Sequence, residues 1–220
     1  SQIYPSYLSS LMDYNKTLAQ KSSLLKLMRS KSKRTDPTLS VWNGQLAEEG
    51  SRIMRFRADF IELINATAAA IQSEISGETL ALRYMPSIKT ESMTAEEIFE
   101  YLSEREGREA DMGSSMYGVQ RDDIEIFVNG REAKLFGSQG QQRTAALSMK
   151  IAQSEYIKNI KGEYPVLLLD DIMSELDIHR RMYLSERIRD KQVLITSTDT
   201  DLIDKNTDTR LFRIENGKVM

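Results

Sequence analysis

The chain has 220 residues, of which 40% are hydrophobic and 29% carry a charge. This apolar share is enough for a core, so we expect a globular protein of one large or two small domains. There is no cysteine and a single histidine, His179. Disulfides and thiolate metal sites are thereby excluded, and a histidine metal site or a Ser-His-Asp triad is disfavoured. Any chemistry must rest on carboxylates, amides and hydroxyls.

The charge of the chain is segregated along its length. The net charge is -3, but residues 1–57 hold ten Lys and Arg against four Asp and Glu, so the other 163 residues carry -9. A basic end and an acidic end suit a protein that contacts phosphates in one region and holds a metal or a partner in another. Solvated helix surfaces explain the same charges equally well.

No part of the sequence has the signature of a membrane segment. There is no run of about 18 apolar residues that could span a bilayer, and no charged and then apolar leader opens the chain. We therefore expect a soluble, cytoplasmic protein that does not contact a membrane.

The first third of the sequence has the periodicity of two long helices. Apolar residues recur at helical spacing from Tyr4 to Met28, and the pattern breaks at Asp36-Pro37. A second pattern runs from about Thr38 to Gly77, which at 1.5 Å rise per residue makes a helix of about 55 Å. Two such helices with a short link predict an antiparallel arm.

The middle of the sequence changes period and then becomes rich in glycine and serine. Alternating apolar residues from Leu80 to Tyr84 predict a strand, and Thr94 with Glu97 fits a capping box that opens a short helix. The stretch 107–118 is rich in glycine and serine, so we expect the main boundary between domains there. The predicted domains are a helical arm over residues 1–112 and a second domain over residues 113–220.

The second domain begins with a hairpin and then alternates helix and strand. A strand from Asp123 leads into Asn129-Gly130, a strong hairpin signal. Short apolar strands between helices indicate an α/β fold with a mostly parallel sheet covered on both faces. We expect a last hairpin at the edge of that sheet. The predicted elements are helix 141–160, strand 166–169, helix 178–189, strand 193–196 and a turn at 216–217.

Two carboxylates follow the apolar strand that begins at Val166. Asp170 and Asp171 are expected at the carboxyl edge of the sheet, where open α/β folds bind ligands. Hard oxygen ligands at this position suit Mg²⁺, which is held with waters and substrate phosphates. In a Walker B arrangement Asp170 would hold the metal, and Asp171 would orient the attacking water. A loop start or a helix cap is the alternative role for such a pair.

A glycine-containing loop stands 30 residues upstream, immediately before a strong helix pattern. Glycines allow close approach of the backbone, and the helix start presents unpaired N–H groups with a positive dipole end. The loop therefore suits a phosphate, although an ordinary polar helix cap would have the same composition. The residues are Ser138, Gln139, Gly140, Gln141, Gln142 and Arg143.

Together the two features resemble the ABC-type ATPases. The loop of residues 138–143 resembles the signature loop of that superfamily. The segment after the acidic pair resembles the D-loop of the same superfamily. Its residues are Ser174, Glu175, Leu176 and Asp177. The segments 135–148, 162–171 and 1–14, with Arg121-Asp122-Asp123-Ile124, are similar to the RecF family of DNA repair ATPases. The resemblance covers nearly the whole chain.

The sequence departs from the family pattern in two places. Family members usually have Gly-Pro-His where this chain has Gly118-Val119-Gln120, so no histidine role carries over. ABC transporters place a switch histidine where this chain has Thr198, and a hydroxyl can donate to a phosphate but cannot act as a cation.

The resemblance implies the C-terminal lobe of an ABC-type P-loop ATPase head, with a helical arm. The phosphate-binding Walker A motif, Gly-x-x-x-x-Gly-Lys-Ser/Thr, does not occur in the 220 residues. In the family it lies in a preceding segment, so we expect this chain alone not to hydrolyse ATP. In the complete protein the resemblance implies ATP and Mg²⁺ as cofactors and an ATP-dependent homodimer. It further implies DNA, RecR and RecO as partners in loading recombinase at gaps.

The arm carries the candidate DNA contacts, which are expected to bind phosphates without base readout. Two other functions are weighed against the ATPase: a nucleotide-independent adaptor that binds DNA or protein through the arm, and the head of another SMC-like protein. The candidates are Lys16, Lys21, Lys26, Arg29, Lys31, Lys33 and Arg34.

Overall fold

The computed structural model describes residues 3–198 and 209–220, except for the side chain of Glu175. Seven α-helices are present among the described residues, and the α/β class is confirmed. The helices are α1 (Pro5–Ser30), α2 (Pro37–Ser76), α3 (Ala95–Ser103), α4 (Glu106–Met112), α5 (Ala133–Phe136), α6 (Gln139–Lys161) and α7 (Ile178–Ile188). The strands are β1 (Leu80–Met85), β2 (Asp123–Val128), β3 (Arg131–Glu132), β4 (Leu167–Asp170), β5 (Val193–Thr196), β6 (Ile214–Glu215) and β7 (Lys218–Val219).

The first two helices form the predicted antiparallel arm. Tyr4 packs on Phe56 with ring centroids 5.6 Å apart, whereas Thr17 Oγ1, farther along α1, donates to Gln45 Oε1 at 3.2 Å. Residues later in α1 thus contact residues earlier in α2, so the two helices are antiparallel. Asp36 caps α2 by accepting from the backbone N–H of Thr38. These contacts confirm the two helices and the link between them.

The arm buries an ion pair. The buried positions of α1 are Ser10, Tyr14, Thr17, Lys21, Leu25 and Met28, spaced by three or four residues. Lys21 therefore lies on the buried face, and its Nζ is 2.6 Å from Glu109 Oε2 with both side chains 0% exposed. Glu109 also accepts from the backbone N–H of Met116 at 2.6 Å. This carboxylate ties α4 and the loop after it to α1.

Helix α2 belongs to three apolar clusters, the first of which packs Leu39 with Leu25 and Met28 of α1 and Ala110 of α4. Its first half, with Leu46 and Ile53, packs with Tyr14 of α1 and Ile98 of α3. The second half packs in a separate cluster with β1, β2, α6 and α7. At 1.5 Å rise per residue its 40 residues span about 60 Å. The division at residues 112 and 113 stays a prediction, with α2 and β1 packed in the same cluster as α6.

Three small sheets lie among the described residues. Strands β1, β2 and β3 are antiparallel, and β2 turns into β3 at Asn129-Gly130, where both residues have positive φ as the predicted hairpin requires. Strands β4 and β5 pair in parallel, from Leu167 opposite Val193 to Asp170 opposite Thr196. The parallel pairing is confirmed for these two strands.

Two details of the predicted sheet are wrong. Cover on both faces was expected, but Leu168 is 72% and Leu194 is 59% exposed, because no other described residues pack on their side of the pair. The terminal hairpin was expected at the sheet edge. Instead β6 and β7 form a separate two-stranded sheet whose Ile214 and Val219 are exposed.

Helix α7 is attached to α2 by a charged contact. Tyr183 donates to Glu74 Oε2 at 2.6 Å, and the Arg187 guanidinium donates to the same oxygen. The hydrogen bond from Tyr183, followed by that from Arg187, lowers the pKa of Glu74. The contact orients the helix that follows the acidic pair.

Replacing Lys21 by Met is expected to destabilise the protein by about 3–5 kcal/mol, because it leaves the Glu109 carboxylate buried without its cation. Lys16→Met, at an exposed position of the same helix, is the matched control and should change stability by less than about 0.5 kcal/mol. Urea unfolding measures both. Equal, small effects would contradict the buried ion pair.

Candidate functional site

The acidic pair stands at the carboxyl end of β4, as predicted. Asp170 is the last residue of the strand, and both carboxylates are exposed. Leu169, one residue earlier, is only 8% exposed and anchors the strand in the core. The pair is therefore presented to solvent at the rim of the sheet, where a ligand can reach it.

Thr196 of the neighbouring strand organises the two acids. Its Oγ1 donates to Asp170 Oδ1 and accepts from the backbone N–H of Asp171 at 2.9 Å. That N–H also reaches Thr196 O at 3.2 Å. Sequence reasoning missed Thr196, although its place at the end of the adjacent parallel strand was the signal that could have found it.

Asp171 has a left-handed backbone with φ 48°. This conformation costs energy for any residue except glycine, and Asp tolerates it better than most. Ser174 supports the turn by donating from Oγ to Asp171 O at 2.8 Å.

The pair fits one part of a Mg²⁺ site. Within the described ranges 3–198 and 209–220 there is no group of three or more acidic or histidine residues placed to hold a metal. Mg²⁺ is commonly bound through one or two carboxylates and completes its shell with waters and phosphates. Asp170 and Asp171 supply oxygens of that kind at an exposed position.

The predicted signature loop is exposed at the start of α6. Ser138 caps the helix by accepting at Oγ from the backbone N–H of Gln141 at 3.2 Å, and Gln141 Oε1 accepts from the Ser138 N–H. Ser138 and Gln139 are exposed. The loop is therefore at the surface, as its proposed role requires.

Two glutamines of the loop have structural contacts. Gln141 Nε2 donates to Glu78 Oε1 at 2.7 Å, just beyond the end of α2. Gln142 Nε2 donates to the carbonyls of Ala133 and Gly137 at 2.9 and 3.1 Å. These side chains hold the loop in place. Ser138, Gln139 and Gly140 form the start of α6 that a ligand could approach.

A carboxylate network positions the hairpin that leads to this loop. Asp122 Oδ2 accepts from Arg57 Nη1 of α2 at 2.7 Å and also from the Tyr84 hydroxyl, while Oδ1 accepts from the Ser87 N–H at 2.9 Å. Burial raises the pKa of Tyr84 above its ordinary value, and the bond to Asp122 adds to the shift. The Arg121-Asp122-Asp123 segment of the family resemblance thus fixes β2 to α2 and β1.

The segment that resembles a D-loop joins the acidic pair to α7. Leu176 is buried, and Asp177 caps α7 by accepting from the Arg180 N–H at 3.0 Å. This bond, and then the charge of Arg180, lowers the pKa of Asp177. Thr198 is exposed two residues after β5, and no hydrogen bond joins it to the acidic pair among the described residues.

The seven candidate DNA contacts of the arm have different environments. Lys21 is buried in the ion pair with Glu109, so the prediction that it contacts DNA is wrong. Lys33 pairs with Asp36 at 2.9 Å, and Arg34 pairs with Asp111 through two bonds. Arg29 is exposed and donates to Met112 O at 3.1 Å. The three exposed lysines without an ion pair to a described residue are Lys16, Lys26 and Lys31.

Lys16 has an acidic environment. It lines a groove of about 380 Å³ between α1 and α2 together with Asp13, Glu48, Glu49 and Trp42. Three carboxylates against one ammonium make this face unfavourable for a phosphate. Lys26 and Lys31, near the tip of the arm, are therefore the better candidates.

Gly137→Ala is expected to destabilise the protein by about 1–3 kcal/mol, since a Cβ would stand 2.6 Å from the backbone oxygen of Ala133. Gly140→Ala is the matched control, because its nearest neighbour would be 3.7 Å away. It should change stability by less than about 1 kcal/mol. Urea unfolding of both variants measures the difference. A Gly137 variant as stable as the Gly140 variant would contradict this geometry.

No membrane-spanning helix is present in the described part of the chain, since none combines sufficient length with sufficient apolar character.

Comparison with known proteins relates this geometry to a family. No family model matches the chain. It is 40% identical over 229 aligned residues to the "DNA replication and repair protein RecF" of Staphylococcus aureus strains JH9 and Newman. The alignment covers 100% of this chain but 62% of each relative, so the chain spans about three fifths of the length of these proteins.

Two solved structures are similar to the whole chain. They are described as the recombination mediator protein RecF with ATPrS and with ATP in the RecFOR pathway, at 33% and 32% identity. Their TM-scores are 0.83 and 0.84, and each match covers 99% of this chain and 59% of the other. The predicted fold, an ATPase head segment with a helical arm, is confirmed. Over its whole length, this chain is similar to the RecF family of DNA replication and repair proteins.

Proposed function

We propose that the protein to which this chain belongs is a cytoplasmic DNA repair ATPase of RecF type, which uses ATP to join two copies on DNA. The observation that carries the proposal is the pair of exposed features on one α/β scaffold. An acidic pair stands at the carboxyl rim of β4, and a polar capped loop opens α6. The family relationship and the nucleotides named for the two solved relatives support it.

The acidic pair would serve a Mg²⁺-nucleotide held by one copy. Asp170 would bind the metal through an oxygen, with Thr196 holding the carboxylate in position. Asp171 would accept a proton from, and orient, the water that attacks the terminal phosphate. The metal supplies charge stabilisation to the phosphates when bound. Thr198 would be at most a hydroxyl donor near this phosphate.

The signature loop would receive the nucleotide of the facing copy. The first N–H groups of α6 have no partner within the helix, and the helix dipole favours a negative charge there. Ser138 and Gly140 are the residues proposed to approach the terminal phosphate. The D-loop, residues 174–177, would lie beside the same shared nucleotide. ATP would then bridge the two copies, and its hydrolysis would release the bridge.

The arm would bring the protein to DNA, with RecR and RecO as proposed partners at gaps. Two closed copies would place two arms side by side, and contacts to phosphates would give binding with little sequence preference. The nucleotide-independent adaptor remains the second candidate. The acidic groove around Trp42 favours it, because that surface suits a protein partner better than DNA.

Asp171→Asn in the full-length protein should lower ATP turnover by about 100-fold or more, because the amide cannot accept the proton of the attacking water. Nucleotide affinity should change little, since Asp170 is retained as the metal ligand. Steady-state turnover and equilibrium binding of a fluorescent ATP analogue measure the two effects. Survival of turnover in the variant would show that Asp171 is not the base.

The wild-type 220-residue chain is the companion sample. It should show no turnover, because its sequence supplies no lysine and N–H cradle for the phosphates. Robust Mg²⁺-dependent hydrolysis by this chain would contradict that expectation.

Lys26→Ala with Lys31→Ala in the full-length protein should weaken DNA binding uniformly across sequences. The slope of log affinity against log salt should fall by about 1 to 2. Lys150→Ala with Lys218→Ala, two exposed lysines outside the arm, removes the same charge and should have little effect. Fluorescence anisotropy at several salt concentrations measures both. Equal losses in the two pairs would contradict DNA binding by the arm, and unchanged binding with or without ATP would favour the adaptor.

A further inference from the structure

Arg180, near the start of α7, lies against the proposed signature loop. Its Nη1 is 3.7 Å from the position that a Cβ on Gly140 would occupy, and Ser138 Oγ is 3.9 Å from that same position. The guanidinium and the capping hydroxyl therefore both lie close to Gly140. Neither the phosphate-loop pattern nor the D-loop pattern in the sequence includes Arg180.

The guanidinium is held in place. Arg180 Nη1 is 2.9 Å from Asp177 Oδ2, and its backbone N–H donates to the other oxygen of the same carboxylate. The side chain is 24% exposed, so it is largely packed yet still open to a ligand. A guanidinium has five N–H donors. Asp177 is the one acceptor that its side chain contacts within residues 3–198 and 209–220.

The positive charge of the loop is that of Arg143 alone, which lies three residues beyond Gly140. Residues 138–142 carry none, and Gln141 and Gln142 are engaged in holding the loop. Backbone N–H groups and the Ser138 hydroxyl are neutral donors. A hydrogen bond from a cation is about twice as strong as one from a neutral donor, and a guanidinium matches the geometry of a phosphate. Arg180 is placed to supply a second cation, directly beside Gly140.

We propose that Arg180 contacts the terminal phosphate of the nucleotide that the signature loop receives from the facing copy. This inference rests on the proposed function. The same residue links the two loops, because its partner Asp177 belongs to the D-loop. Binding of a phosphate above Gly140 therefore also fixes the start of α7 and the segment that follows the acidic pair.

A purely structural role predicts different behaviour. An i,i+3 ion pair at a helix start contributes to stability whether or not nucleotide is present. A phosphate contact acts only when a nucleotide with a terminal phosphate bridges two copies. Comparing dimerisation in ATP with dimerisation in ADP therefore distinguishes the structural role of Arg180 from the phosphate contact.

The experiment uses the full-length protein with Arg180→Ala, Arg180→Lys and the control Arg189→Ala, which removes an exposed arginine at the other end of α7. Sedimentation velocity with the slowly hydrolysed analogue ATPγS, and with ADP, measures dimerisation. A fluorescent ATP analogue at low protein concentration measures binding to the single copy. Thermal melting checks that each variant is folded.

Arg180→Ala should weaken ATPγS-dependent dimerisation by about 10-fold or more, the loss expected for one charge-assisted hydrogen bond. Nucleotide binding to the single copy should stay within about twofold, because the other copy's loop is not involved. Arg180→Lys should restore part of the loss, since it retains the charge. Arg189→Ala should behave as the wild type, and no variant should differ from wild type in ADP.

The outcomes separate the two proposals. If the wild type fails to dimerise with ATPγS, the proposed function is wrong and the role of Arg180 falls with it. If the wild type dimerises and Arg180→Ala does so as tightly as Arg189→Ala, only the role of Arg180 is overturned. Should Arg180→Ala not fold, Arg180→Gln, which keeps a donor for Asp177 without the charge, is judged by the same criteria.

Discussion

The packing of helix α2 in separate apolar clusters along its length is the constraint on which the rest of the structure depends. Its first half is buried against α1 and α3, and its second half against β1, α6 and α7. Because a helix of this length is stiff, the arm and the ATPase head segment are held at one distance. Just beyond the end of α2, Glu78 accepts a hydrogen bond from Gln141, so the proposed nucleotide loop is attached to the end of this helix.

Buried polar groups, more than apolar ones, determine how the connecting segments run. Glu109 receives the Lys21 ammonium and the backbone after α4, and Asp122 gathers contacts from α2, β1 and Ser87. Gln72 of α2 accepts from Ser148 of α6 at 2.9 Å, with both side chains fully buried. Each such group costs free energy unless its partners are present, so each one selects a single arrangement of the elements. The contacts of Asp122 thereby fix the segment that leads into the β2–β3 hairpin.

The proposed nucleotide site is built from two exposed parts with a rigid support beneath each. Thr196 supports the acidic pair, and Gln141 with Gln142 supports the loop. Arg180, which pairs with Asp177 in the segment that follows the acids, lies beside Gly140 of the loop. This design suits a site whose ligand arrives from another copy, because the donors are oriented before the ligand is present. It also explains why so many polar side chains of the site contact the protein itself.

The sequence by itself determined the longer helices, the capping box of Thr94 with Glu97, the hairpin at Asn129-Gly130 and the positions of the two parts of the proposed site, because all of these follow from local periodicity and short spacings. It also indicated the family through the residues around Ser138 and Asp170. Only the tertiary structure decided that Lys21 is buried, that Leu168 and Leu194 are exposed, and that Thr196 and Arg180 stand at the site. These facts join residues distant in sequence, such as Lys21 with Glu109 and Gly140 with Arg180. Periodicity shows that a residue lies on a helix face, but what packs on that face depends on elements that the local pattern does not contain.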